Sequence, residues 1–246
     1  MSYQIFTSFK NDVNYVRYYL RGLLLLSPEE KRTCKRIVLI DDGSNDETRL
    51  RLGSLTGDFH VDLVPGVNNR SWIHENFNLA LQKFPDTDYL IRLDADVELE
   101  SGYVTSCLEY MRAHPDCYSC GGIVRDMASM KWVRKASLIP TTPWGAARFY
   151  VVAKLKQIGG FHAMVWRTPL GLVYDEDEST DRVGRGHGFK VAVVNSAKAR
   201  HWRPLSKAAI YAANKRSGVF RYSVKYRDFR SLLDTLILPS SAFWDE

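Results

Sequence analysis

The sequence lacks any run of eighteen or more apolar residues, so no stretch of it is long and apolar enough to cross a bilayer as a helix. The Leu23 to Leu26 patch lies inside a helical pattern and is far too short to do so. The opening residues, Met-Ser-Tyr-Gln, have neither the basic nor the apolar region of a secretory signal. Cysteine is scarce, with four residues in 246, which excludes a disulfide-built scaffold at this length. Cys117 and Cys120 have a zinc-like spacing, but no second Cys or His pair accompanies them, and the four cysteines are read as buried strand residues. Low-complexity stretches, internal repeats and linkers are also missing. These absences lead to the expectation of a cytoplasmic chain with one large core.

Charge is unevenly spread. The net charge of +6 arises at the C-terminal end, because residues 198–230 hold ten Lys or Arg and one acid, Asp228, while residues 1–197 balance to neutrality. Such a segment attracts phosphate groups, an anionic membrane surface at the inner face, or DNA, and a solvated basic face is the plain alternative.

Hydrophobic patterning orders the first hundred residues. Tyr3–Phe9 alternates as a strand, Val13–Leu26 has helical spacing, and Arg36–Ile40 is the continuous apolar run of a strand buried on both faces. A helix from Asp46 to about Leu52, a strand at Phe59–Val64, a helix at Asn76–Phe84 and a strand at Tyr89–Leu93 follow. This β-α-β-α-β-α-β order predicts a mostly parallel, doubly wound α/β sheet with helices on both faces. Beyond it, a helix at Val104–Ala113, strands at Ser119–Asp126 and Met130–Ile139, a loop at Pro140–Gly145 and a strand-then-helix at Ala146–Ile158 predict a smaller, mixed second half. An acidic helix opens near Asp175, Gly186-His-Gly188 ends it, Phe189–Val194 forms a last strand, and Ser206–Lys215 a last helix. The expected division is a domain over 1–205, with halves 1–100 and 101–205, and a basic extension over 206–246.

The strand Tyr89–Leu93 stops at Asp94-Ala95-Asp96. Ligands of open α/β sheets bind beyond such carboxyl ends. Two carboxylates there, with no adjacent Lys or His in the sequence, predict a positive partner, and Mg²⁺ or Mn²⁺ suits oxygen donors. Earlier, Asp41-Asp42-Gly43-Ser44 follows the second strand, where a carboxylate accepts hydrogen bonds from a nucleobase or caps the next helix.

Asp-Asp-Gly-Ser after a strand, Asp-x-Asp after a later one, Gly159-Gly160-Phe161, then Glu176-Asp177 before a helix together resemble the family 2 glycosyltransferases over roughly residues 3–201. The resemblance implies a GT-A fold and inverting transfer of a sugar from a nucleotide-diphosphate donor, a UDP- or GDP-sugar, with a divalent metal. It implies that Asp41 or Asp42 takes the base, with Thr7, Ser8 and Phe9 lining the same slot. Asn76 matches the family's Arg-Asn-x-Gly position, although Glu75 replaces the arginine and Asn78 the glycine. Asp96 becomes the direct metal ligand, Asp94 contacts ribose or the metal's waters, and His201, just after the last strand, supplies a third ligand. Asp177 becomes the general base, with Glu176 taking that role if the register slips by one. Trp166, in the loop before the acidic cluster, is the candidate acceptor contact, with Trp144 and Trp202 in the same half, and Arg148 and Lys131 are candidate diphosphate partners. A glycan or lipid-linked acceptor is expected, with a hydroxylated base in DNA as the alternative. A nucleotidyltransferase is disfavoured, because Thr7-Ser8-Phe9-Lys10-Asn11 is no glycine-rich phosphate loop. A non-catalytic nucleic-acid-binding protein is disfavoured by the two acidic motifs.

Overall fold

Period-two alternation along the central strands divides the interior into two cores, one on each face of a single large sheet. In β1 (Tyr3–Phe9), Tyr3, Ile5 and Phe9 enter one core and Phe6 the other. In β2 (Cys34–Asp41), Ile37 and Leu39 oppose Val38 and Ile40 in the same way. Strands apolar on both faces need helices on both faces. Helix α1 (Val16–Leu24) packs on the first face with Val16, Tyr19 and Leu23, and α4 (Ile73–Lys83) on the second with Phe77, Ala80 and Leu81. The computed structural model describes residues 1–53, 59–67, 73–128, 130–133, 143, 145–168, 171–175, 177–203 and 237–238.

The remaining elements of the first half are α2 (Pro28–Thr33), α3 (Thr48–Gly53), β3 (Val61–Pro65), β4 (Tyr89–Leu93) and β5 (Val97–Leu99). A full capping box starts α2, with Ser27 and Glu30 each bonding the other's backbone N–H. The second half contains α5 (Tyr103–Ala113), β6 (Cys117–Asp126), β7 (Lys131–Val133), β8 (Ala147–Val151) and α6 (Val152–Gln157). It continues through β9 (Met164–Thr168), β10 (Gly171–Asp175), α7 (Asp177–Gly186), β11 (Lys190–His201) and β12 (Ile237–Leu238).

The main sheet runs β3-β2-β1-β4-β8-β6-β11-β5, with β7 on β6. The pairs β1–β2, β2–β3 and β1–β4 are parallel, as expected of a doubly wound unit. The chain winds outward from β1 to β3 and returns to the other side of β1 as β4, so the order reverses between β1 and β4. Strand β8 joins β4 antiparallel and makes the rest of the sheet mixed.

Four features depart from the expectation. Strand β5 was not foreseen: it follows β4 after only Asp94, Ala95 and Asp96, yet pairs with β11 at the far edge of the sheet. Four chain steps span at most about 14 Å, so the sheet must curl until the ends of β4 and β11 meet. Met164–Thr168 and Gly171–Asp175 pair antiparallel as β9 and β10, which places Trp166 in a strand rather than a loop. Strand β11 runs on to His201 instead of stopping at Val194. All four cysteines are buried and free, though Cys107 lies on α5 rather than on a strand. The helix expected at Ser206–Lys215 and residues 140–142 and 144 of the expected loop, Trp144 included, lie outside the described residues. Of the expected basic extension, Ile237 and Leu238 pair as β12 with Val165 and Trp166 of β9.

Candidate active site

At the reversal point, the carboxyl ends of β1 and β4 splay around a cleft of about 250 Å³ lined by Ser8, Phe9, Lys10, Asp12, Asp42, Ile73, Asp94, Ala95, Asp96 and Arg203. A doubly wound sheet has its ligand crevice at this place.

The three β1 residues expected to line a nucleotide slot do not all reach the cleft. Thr7 follows Tyr3 and Ile5 to the α1 face, is fully buried, and hydrogen-bonds Tyr19 Oη at 3.0 Å; it does not line the cleft. Ser8 and Phe9 do. Of the two aspartates, Asp41 makes the loop turn, accepting from the Ser44 N–H at 2.8 Å with Arg49 3.9 Å away. Asp42 is buried and faces the cleft. Asn76 ties this wall together: its amide nitrogen donates to Ser8 Oγ at 3.0 Å and Asp42 Oδ1 at 3.2 Å, and its oxygen accepts from the Val67 N–H at 2.8 Å. One departure from the Arg-Asn-x-Gly pattern, Asn78, also finds a reason. Asn78 clasps Phe161 through both backbone groups at 2.8 Å and so fastens α4 to the Gly-Gly-Phe loop.

The acidic pair is not as bare of cations as its sequence suggests. Arg92 Nη2 is 3.9 Å from Asp94 Oδ1. His201, paired in register with Val97, brings Nε2 to 3.5 Å from Asp96 Oδ1, and Arg203 Nε lies 2.9 Å from Asp96 Oδ2. Arg203 also pairs with Asp12, a buried carboxylate that sequence reasoning missed. Burial pushes the Asp96 carboxyl up to about 6 despite the half-exposed guanidinium beside it. Burial likewise lowers His201 to about 4, leaving its imidazole neutral at physiological pH.

The segment carrying His201 and Arg203 is clamped between them. The Trp202 N–H donates to the Asp96 carbonyl at 2.9 Å, its indole Nε1 to Glu98 at 2.8 Å, and its ring stacks on Tyr18 with centroids 3.8 Å apart. Trp202 is therefore a brace, and this accounts for it better than acceptor contact. Glu98 is buried and also paired with Arg21 and Arg200.

A divalent ion can be tested against these donors. Among the described residues no three His, Cys, Asp or Glu side chains converge as a metal-binding group, so Asp94, Asp96 and His201 do not close into a triad as they stand. Yet Asp96 Oδ1 is buried without a hydrogen-bond partner and faces a neutral imidazole. A carboxylate oxygen beside an imidazole nitrogen is a donor set suited to Mn²⁺, and water or ligand oxygens complete such shells. The residues fit the group.

On the other side, α7 begins at Asp177, and Glu176 lies outside the described residues. Trp166 occupies β9, opposite Val173 of β10. Arg148 is withdrawn from any diphosphate: it is fully buried in β8 and bonded to Asp181 at 2.6 Å. Lys131 lies on β7. Among the described residues no helix is long and apolar enough to cross a membrane.

Residues 5–193 match the model of Glycosyl transferase family 2. The match takes in well over half of the chain, and the protein belongs to this family. Among solved structures, TarS of S. aureus in complex with UDP-GlcNAc superposes with a TM-score of 0.64 at 13% identity, covering 84% of this chain and 60% of its own. Mannosyltransferase PcManGT from Pyrobaculum calidifontis, in complex with GDP-Man and Mn²⁺, gives 0.63 at 15% identity, covering 91% and 64%. GalNAc-T7 with UDP, GalNAc and Mn²⁺ gives 0.61 at 16%, covering 84% and 44%. At these identities the likeness establishes the GT-A fold. The chain spans less than two thirds of the length of each of the three. No curated protein matches the sequence.

Proposed function

We propose that this protein is a glycosyltransferase that moves a sugar from a nucleotide-diphosphate donor, UDP- or GDP-linked, to a hydroxyl of a glycan or lipid-linked saccharide, with inversion. The observation that carries this reading is the cleft at the sheet's reversal point, with Asp42 on one wall and Asp94 and Asp96 on the other. The solved structures of TarS and PcManGT, of the same fold, are complexes with nucleotide sugars.

In this reading Asp42 accepts the ring N–H of the base as a charge-assisted acceptor. Ser8 and Phe9 line the slot, and Asn76 holds Asp42 in place instead of touching the ligand. Asp96, with Asp94 and His201, holds a divalent ion, Mn²⁺ or Mg²⁺. When bound, that ion offsets the negative charge growing on the diphosphate as the sugar–oxygen bond breaks. Lys10 and Arg203 add fixed positive charge to the same cleft. Proton removal from the acceptor hydroxyl falls to a carboxylate apart from this pair, on the opposite face of the sugar. The N-terminus of α7 offers Asp177, with Glu176 as its neighbour, and Trp166 on β9 is the acceptor contact.

Thermal-shift screening of UDP- and GDP-sugars with Mn²⁺, followed by donor-hydrolysis assays on the stabilising compound, tests this. Stabilisation by at least one donor, abolished in Asp42→Ala, is the expected result. A wild-type protein that no UDP- or GDP-sugar stabilises, with or without metal, would sink the reading.

A further inference from the structure

Helix α7 is attached to the sheet in an unusual way for an amphipathic helix. Its inward residues Ser179, Thr180 and Asp181 are polar, with exposures of 0%, 1% and 0%. Val183, partly buried, is the aliphatic side chain it adds to the second core. What meets these polar groups is a fixed set of partners from β6 and β8. Arg148 Nη2 donates to Asp181 Oδ1 and to Ser119 Oγ, each at 2.6 Å, and the Tyr118 hydroxyl lies 3.0 Å from both Asp181 Oδ1 and the Thr180 carbonyl. On the helix's other flank, Thr180 Oγ1 accepts from the His162 N–H at 3.0 Å and donates to the His162 carbonyl at 3.1 Å. Gly184 makes the approach possible, since a Cβ there would lie 2.4 Å from the Tyr118 ring.

Arg148 and Asp181 are both completely buried. A buried ion pair adds little net stability over apolar groups of the same volume, because desolvation cancels most of the attraction. Its distinctive property is directional: a guanidinium and a carboxylate bond at one separation and orientation, whereas an apolar face tolerates sliding. Asp181 is also one helical turn from position 177.

We propose that the Arg148–Asp181 pair, with Tyr118 and Ser119, is a positioning device that fixes the axial setting of α7 and thereby the setting of position 177, where the proposed function puts the base. The catalytic half of this statement rests on Asp177 as the base; the mechanical half does not. The side chains named are positioning residues and do not themselves touch the sugar.

The experiment compares the full chain with the Arg148→Met/Asp181→Leu double variant, which removes both fully buried charges together and leaves Arg185, 3.8 Å from Asp181 and 31% exposed, with access to solvent. Spin labels at Asp177→Cys and Glu109→Cys, on α5, report the separation of α7 from the frame; the four native cysteines are buried. The expected result is a melting temperature at or above wild type, with a label distance that shifts or broadens by several ångströms. Hydrolysis of UDP-N-acetylglucosamine or GDP-mannose, whichever the wild type turns over, is expected to fall at least tenfold in kcat with KM unchanged within twofold. Should the double variant fail to fold, Tyr118→Phe, which removes one hydroxyl, is read by the same two measurements with the same directions. An unchanged distance distribution overturns the proposal. So does unchanged kcat in the double variant where Asp177→Asn abolishes turnover. Full turnover in Asp177→Asn instead overturns the choice of base, and the label distances still decide whether α7 is held by the pair.

Discussion

Arg203 closes on Asp96, with Nε 2.9 Å from Oδ2, and leaves the other carboxylate oxygen facing His201. The cation expected at the acidic pair is thus already supplied, in part, by the chain itself. If Asp96 holds a divalent ion, Arg203 competes with it for charge. Arg203→Gln is expected to tighten Mn²⁺ binding without nucleotide by at least about tenfold, since a unit charge about 4 Å away is worth about 1 kcal/mol even at the dielectric of water and about 4 kcal/mol near a protein surface. Calorimetric titration measures it, and weaker binding in the variant would contradict the competition.

Proton release gives an independent check on the same carboxylate. With Asp96 raised to about 6 and His201 lowered to about 4, between those values the acid holds its proton while the imidazole is already neutral. A metal must displace that one proton from Asp96. Mn²⁺ affinity is therefore expected to be flat above about pH 7 and to fall roughly tenfold per unit below pH 6. The two groups act oppositely on stability. The raised Asp96 favours the fold at low pH and loses that contribution as pH rises through 6. The lowered His201 favours it at high pH and loses that contribution as pH falls from its usual value through 4. Their effects nearly cancel between pH 4 and 6, so a titration of metal affinity is the sensitive measurement.

Kinetics should separate the two acidic clusters. Asp96→Asn is expected to lower kcat by about 10²-fold or more and to weaken metal binding in parallel. Asp177→Asn is expected to lower kcat by roughly 10²–10⁴-fold with metal affinity untouched. If Glu176→Gln shows the larger loss of the two, the base moves one residue back.

The Gly-Gly-Phe loop should be intolerant of a side chain. Gly160 has φ +94°, and a Cβ there would sit 2.4 Å from Asn78 Oδ1, the atom that accepts from the Phe161 N–H. Gly160→Ala is expected to cost about 2 kcal/mol, a fall of roughly 4–8 °C in Tm for a chain of this size. An unchanged melting curve would show that the clasp between α4 and this loop contributes nothing.

What the sequence made legible was what local periodicity carries. The continuous apolar runs of β2 and β4 and the alternation of β1 encode a sheet covered on both sides, and the acidic turn after β4 marks its crevice. The same alternation, followed to the end of β1, separates Thr7 from Ser8, because Thr7 shares parity with Tyr3 and Ile5. Other parts had no local signal. Strand β5 is three residues long, and its partner is a hundred residues away. Asp12 and Arg203 are unremarkable in sequence and meet only because β11 extends to His201. Arg148 looked like a free cation for a phosphate; only the packing of α7 on β6 and β8 reveals the carboxylate that claims it.

The three-residue turn Asp94–Asp96 also has a consequence in time. Asp96 meets His201 and Arg203 across more than a hundred residues, and such contacts form late because their loop-closure entropy must be met first. During synthesis the parallel half, β1 to β4, can assemble while β11 has not yet emerged. A chain at that stage has the cleft wall of Ser8, Asp42 and Asn76 but not the hem that joins β4 to β11. Metal affinity would then report completed folding: truncation before residue 190 leaves the acidic pair in place yet removes the partners that give it its charge and shape.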